Sequence, residues 1–209
     1  MRVVILGNGP WENPKRLLEL LKPGDFLLAC DGAYKKAVAV GLKPQAVIGD
    51  FDSMALRNVP AGVEVVKHPS EKDETDGELA LALALAKKPK EILWYAALGD
   101  RWDHTLANLF LLVQAASRRV PVHLLQGDWE LFLVLDSLVI QGKTKDRVSL
   151  IPLSKQTFGV STQGLKYALS NQTLFLHKSR GVSNEMKTSK ASVSLKRGWL
   201  LVLHEYGKR

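Results

Sequence analysis

Over the first 126 positions, apolar residues come in short runs that each give way to a polar turn. Such runs occupy 2–6, 26–30, 46–48, 63–66, 92–97 and 122–125. Near-continuous Val, Ile, Leu and Ala over so few positions, bounded by Gly, Pro and Asp, predict strands buried on both faces. Segments with helical spacing lie between them, at 15–21, 33–40, from about 76 through 85, and 105–117. Their ends carry helix punctuation. Asn13 followed by Pro14 suits an N-cap and first helical residue. Gly41 suits a C-cap. Thr75 and Glu78 have capping-box spacing, and Asp103 stands where it can cap the last helix.

Strand, polar turn and helix in repetition predict a parallel sheet flanked by helices. Near residue 127 the pattern changes. Short strands are expected at 131–135, 137–140, 147–151, 173–176, 191–195 and 200–204, separated by Gly, Ser, Asn and Lys turns, with no helix among them. The expected fold is therefore α/β. A Rossmann-like parallel sheet flanked by helices, residues 1–126, precedes a small all-β sandwich, residues 127–209.

Composition narrows the setting. The single cysteine, Cys30, has no partner for an internal disulfide, which points to a reducing, cytoplasmic compartment. No apolar run approaches the ~18 residues of a membrane span, and the apolar stretch at 3–6 is too short for a signal peptide. The net charge of +8 is unevenly spread. Residues 1–126 hold 16 Lys and Arg against 15 Asp and Glu, whereas residues 127–209 hold 13 against 6. A basic segment attracts polyanions, ATP among them. With no run of five basic residues and no RNA-binding signature, nucleic acid is not the expected partner.

The candidate chemistry sits after the expected strands. In Ile48-Gly49-Asp50-Phe51-Asp52-Ser53, two carboxylates leave a strand end one residue apart. On an extended backbone Asp50 and Asp52 share a face and Phe51 turns inward. Either this is a turn of solvated carboxylates, or the repulsion is offset by a hard divalent cation with oxygen ligands. Asp31 ends the second strand. Asp73 and Asp76 precede the third helix, where a first-turn carboxylate also simply suits the helix dipole. Gly99-Asp100-Arg101-Trp102-Asp103-His104 places an arginine in a turn beside carboxylates, an arrangement suited to bidentate phosphate binding. In open parallel sheets ligands sit at the carboxyl ends of strands, and all these residues are expected there. The loop Gly7-Asn8-Gly9-Pro10 lets backbone approach a phosphate, but it matches neither the dinucleotide fingerprint nor the G-x-x-x-x-G-K-[ST] phosphate loop.

Taken in order, these segments resemble the thiamine pyrophosphokinase family. The family's A-D-G-G-A is similar to Cys30-Asp31-Gly32-Ala33-Tyr34, and its G-D-F-D-S is matched throughout at 49–53. K-D-x-T-D is matched by Lys72, Asp73, Thr75 and Asp76, and G-G-R-x-D-H by 99–104 with Asp100 in place of the second glycine. In the second half, G-L-K-Y/W is matched at Gly164-Leu165-Lys166-Tyr167 and S-N-E at Ser183-Asn184-Glu185. The resemblance implies transfer of pyrophosphate from ATP to the hydroxyl of thiamine, giving thiamine diphosphate and AMP. It implies Mg²⁺ held by Asp50, Asp52 and Asp76, with Asp31 and Asp73 completing the carboxylate ring. Arg101 would contact phosphate. Asp103 would orient Arg101 or accept the hydroxyl proton, and His104 would contact phosphate or only start a helix. Tyr167, Ser183 and Asn184 would lie at thiamine, or Tyr167 would only pack the sandwich. A homodimer is implied, with thiamine between the first domain of one chain and the second domain of the other. Alternatives are a pyrophosphokinase for another alcohol, such as a hydroxymethylpterin, or a non-catalytic nucleotide or RNA binder. The departures are Ala33 and Asp100, each replacing a glycine, the latter adding negative charge beside the arginine.

Overall fold

The computed structural model describes residues 1–51, 59–69, 71 and 73–207. Asp52, Ser53 and Lys72 lie outside them. The chain divides into two compact units, Met1–Leu111 with Leu124–Gly127, and Leu112–His123 with Asp128–Arg209.

In the first unit, β1 (Arg2–Leu6), β2 (Phe26–Cys30), β3 (Ala46–Gly49), β4 (Glu64–Lys67), β5 (Glu91–Tyr95) and β6 (Val122–Gln126) lie in the order β6-β5-β1-β2-β3-β4. The pairings of β1 with β2 and β5, of β2 with β3, and of β3 with β4 are parallel. β1 and β2 have the burial expected of strands covered on both faces, with Val3 to Leu6, Leu28 and Ala29 inaccessible, whereas the edge strand β4 departs from it, exposed at Glu64, Val65 and Lys67. The helices α1 (Pro14–Leu20), α2 (Asp31–Ala39), α3 (Asp76–Ala86) and α4 (Trp102–Ser117) follow β1, β2, β4 and β5.

Helix starts differ from expectation in instructive ways. Thr75 caps α3, its Oγ1 accepting the Glu78 amide at 3.1 Å. Asn13 occupies the cap position of α1 in the left-handed region, φ 50°, and its side chain makes no capping bond. Asp103 is no cap either, because α4 begins at Trp102. Thr105 secures that turn instead. Its Oγ1 accepts from the Gly99 amide and donates to the Gly99 carbonyl, both at 3.0 Å. Asp31 proves to be the first residue of α2 rather than part of a loop before it.

The second unit is a sandwich. One layer runs β12 (Asn184–Glu185), β9 (Arg147–Pro152), β14 (Leu200–Glu205), β7 (Trp129–Val134), all antiparallel. The other runs β11 (Gln172–Phe175), β10 (Gln156–Gln163), β13 (Lys190–Ser194), β8 (Ser137–Gln141). Val148, Leu150, Val160, Leu174, Val193 and Val202 meet in its core. Strand β10 escapes sequence reading because threonines take two of its inward positions, Thr157 and Thr162. Gly159, with φ 68°, also interrupts the alternation where the pairing with β11 shifts register. Among the described residues no helix is long and apolar enough to cross a membrane.

Candidate active site

At the carboxyl ends of the parallel strands the first unit opens into a cleft of about 900 Å³. Its walls come from the loop after β1, the ends of β2 and β3, the start of α3, and the turn from β5 into α4. The topology alone puts them there, since every parallel strand delivers its following loop to the same edge.

The β1 loop explains two glycines. The amides of Gly7 and Gly9 donate to the carbonyls of Tyr95 and Ala96, at 2.8 and 3.0 Å. A Cβ on Gly7 would meet the Ala96 carbonyl oxygen, and one on Gly9 the oxygens of Leu98 and Ala96. These glycines are there for close approach to the end of β5, and their amides are already used. The expectation of a phosphate-receiving backbone therefore gives way to one of a braced rim. Side chains hold its carbonyls: Trp11 Nε1 donates to Gly7 O at 3.0 Å, Gln126 Nε2 to Pro10 O at 3.0 Å, and Tyr95 Oη to Glu12 O at 2.7 Å. Burial pushes the Tyr95 phenol up to about 12, so it remains a donor at any working pH.

The acidic residues converge as β3 ends. Asp31 is buried, and its Oδ2 accepts the Phe51 amide at 3.0 Å. Burial raises its carboxyl above the ordinary value, the amides of Gly32 and Phe51 draw it back down, and the charges of Asp76 and Asp50 raise it again. Asp50 and Asp76 are thus each within electrostatic reach of Asp31 although the three come from separate segments. Asp50 and Asp76 line the cleft, whereas Asp31 is buried at its edge. Phe51 is turned inward, 9% exposed, as expected. Its backbone, however, takes φ 61°, so the alternation expected of an extended strand does not continue past Asp50. Asp52, the other half of the expected pair, lies outside the described residues.

On the far side of β5, Arg101 and His104 line the same cleft, and Asp100 does too. Arg101 is exposed and grips Asp103 with both nitrogens, Nη2 to Oδ2 at 2.6 Å and Nε to Oδ1 at 3.3 Å. That contact raises the guanidinium and lowers the Asp103 carboxyl from their ordinary values. Asp103 itself does not line the cleft, and neither does the exposed Asp73. Asp100 is absent from the residues with positive φ, so a carboxylate there costs no backbone strain. Ala33 is fully buried in α2. Cleft residues that the sequence does not single out are Lys36, Glu74, Trp94 and Asn108. Only Glu74, beside the acidic motif, carried a signal that could have been used.

The second unit groups Tyr167, Ser183 and Asn184. Tyr167 is 62% exposed. Asn184 is buried, and its side chain clamps the Tyr167 backbone in both directions: Oδ1 accepts the Tyr167 amide at 3.0 Å and Nδ2 donates to the Tyr167 carbonyl at 2.8 Å. Ser183 takes φ 59°, and its amide donates to Ser149 Oγ at 3.0 Å.

Residues 17–124 match the family described as thiamin pyrophosphokinase, catalytic domain, and residues 138–200 match the thiamin pyrophosphokinase vitamin B1 binding domain. This chain belongs to the thiamin pyrophosphokinase family. It is 30% identical over 169 residues to the thiamine pyrophosphokinase of Bacillus subtilis, covering 78% of this chain and 79% of that protein. To thiamin pyrophosphokinase 1 of Caenorhabditis elegans it is 27% identical over 203 residues, covering 88% and 81%. The crystal structure of the B. subtilis protein superimposes with a TM-score of 0.85 at 26% identity over the full length of both chains. That of the Geobacillus thermodenitrificans thiamin pyrophosphokinase gives 0.80 at 27%, covering 100% and 99%. Family, relatives and solved structures agree, which makes this member an ATP-dependent pyrophosphotransferase.

Proposed function

We propose that the chain transfers the pyrophosphoryl group of ATP to the primary hydroxyl of thiamine, with the triphosphate in the cleft of the first unit. The observation that carries this reading is that Asp50 and Asp76, from separate segments, line one cleft with Arg101, with the buried Asp31 in electrostatic reach of both carboxylates. In pyrophosphoryl transfer the hydroxyl oxygen bonds to the β-phosphorus as the bridge to the α-phosphate breaks, releasing AMP. The protein's part is to position both substrates and stabilise the charge that shifts among phosphate oxygens.

A hard divalent cation fits these residues. Their donors are all carboxylate oxygens; burial first, and then the charges of Asp76 and Asp50, raise the Asp31 carboxyl, and a dication relieves that repulsion. Among the described residues no three His, Cys, Asp or Glu side chains form a metal cage. Mg²⁺ keeps water and phosphate oxygens among its ligands beside protein carboxylates. Asp50, Asp52 and Asp76 are its proposed holders, with Asp31 and Asp73 contributing nearby, and it would neutralise phosphate charge. Arg101 binds a phosphate through its planar fork, held in orientation by Asp103, and His104 adds a donor at the cleft wall. Tyr167 offers an exposed face for the cationic thiamine rings, Asn184 fixes its backbone, and Ser183 stands beside them.

The proposed organisation is a catalytic domain at 1–126 and a thiamine-contributing domain at 127–209, working as a cytoplasmic homodimer. The test is direct. Purified protein with Mg²⁺ and ATP should form AMP when thiamine is added and not when a hydroxymethylpterin is. AMP formed only with the pterin, or with neither, refutes the assignment.

A further inference from the structure

Three candidates stand outside the roles assigned above: Cys30 at the cleft, the buried His204–Asp146 pair of the second unit, and Lys36. The lysine carries the most. It lies on α2, five residues beyond Asp31, and lines the same cleft. Among the described residues, Lys36 and Arg101 are the only Lys or Arg side chains lining it. They are engaged very differently. The Arg101 guanidinium is taken up by Asp103. Among the described residues, the Lys36 ammonium donates to neutral oxygens, the carbonyls of Asn8 at 3.3 Å and Gly9 at 3.2 Å. Among the described residues, the carboxylates of Asp50, Glu74, Asp76 and Asp100 line the same cleft.

We propose that Lys36 is a polyphosphate contact, binding the phosphates of the nucleotide; the inference rests on the cleft being the ATP site. An ammonium is a compact charge with three donors on a flexible stem. Exchanging one carbonyl bond for a phosphate oxygen converts a neutral acceptor into an anionic one and strengthens the bond. The remaining carbonyl bond keeps the ammonium at the rim. The same charge offsets the negative ends of the Asn8 and Gly9 carbonyls, which would otherwise face phosphate oxygens. The rim itself stays in place without Lys36, because the Gly7 and Gly9 amides, Trp11, Gln126 and Tyr95 also secure it.

The test uses full-length wild type, Lys36→Met and Lys36→Arg, titrated calorimetrically in Mg²⁺ with ATP, tripolyphosphate and adenosine. Lys36→Met should bind ATP and tripolyphosphate about tenfold or more weakly. It should bind adenosine as wild type does and melt with wild type, since the side chain is exposed. Lys36→Arg should recover most of the lost affinity. Unchanged tripolyphosphate binding in Lys36→Met overturns the proposal, and so does an equal loss for adenosine, which would mean the lysine acts only by shaping the loop. Wild type that binds ATP and forms AMP separates these failures from failure of the ATP-site reading, which would show as wild type binding neither ATP nor tripolyphosphate.

Discussion

Asp31 Oδ2 accepts the backbone amide of Phe51 at 3.0 Å, which ties the first residue of α2 to the segment leaving β3. The bond fixes Phe51 at its positive φ and so sets where Asp50 leaves the strand. A buried carboxylate, usually a burden, here serves as the anchor of an acidic site.

Asp31→Asn should separate stability from activity. The folded Asp31 carboxyl lies above its ordinary value, chiefly through burial. Between the ordinary and the raised value the folded state holds the extra proton. Stability attributable to this group therefore falls as pH rises through that window and is level above it. Asparagine removes the dependence and keeps an acceptor for Phe51. Without divalent metal at pH 7, the variant should melt no lower than wild type, while AMP formation falls about a hundredfold or more. A large drop in melting temperature with activity retained would contradict this.

Gly7→Ala should be among the most destabilising single substitutions in the first unit. The new methyl would collide with the Ala96 carbonyl oxygen, which is backbone and cannot swing aside. A loss of about 1–3 kcal/mol is expected in chemical denaturation, as for an overpacked core. Gly41→Ala is the control. It has φ +83° and nothing within 4 Å, so it should lose only about 1 kcal/mol from backbone conformation.

Arg101→Lys should leave stability unchanged, because the Arg101–Asp103 pair is exposed and such pairs contribute little. Turnover should nonetheless fall about tenfold or more as the planar fork is lost. Steady-state kinetics beside a thermal melt would show whether the two separate.

Asn184→Ala removes both bonds that clamp the Tyr167 backbone and leaves its part-buried N–H and C=O without those partners. A cost of about 1–3 kcal/mol is expected, together with a higher KM for thiamine and little change in KM for ATP. Tyr167→Ala, at an exposed position, should raise the thiamine KM alone.

The parallel half of the fold was legible because its central strands are buried on both faces and so appear as plain apolar runs; the run at 26–30 coincides with β2, while the edge strand β4 is exposed despite its apolar run. The sandwich was legible where alternation is clean and illegible in β10, whose buried Thr157 and Thr162 look like surface residues in a string of letters. Helix caps misled wherever residue type stood in for geometry, as at Asn13 and Asp103. Asp31, Asp50 and Asp76 were visible as a site because each follows a strand. Lys36 was not, because a lysine midway along a helix looks solvated until the helix is seen passing the β1 loop. Asn184 stood out by motif, but its two-way hold on Tyr167 appears only in three dimensions.

The stitching of Gly7 and Gly9 to Tyr95 and Ala96 carries β1 and β5 contact beyond the sheet proper. One jaw of the cleft is thereby built as an anvil. These two amides should be among the slowest in the first unit to exchange with deuterium.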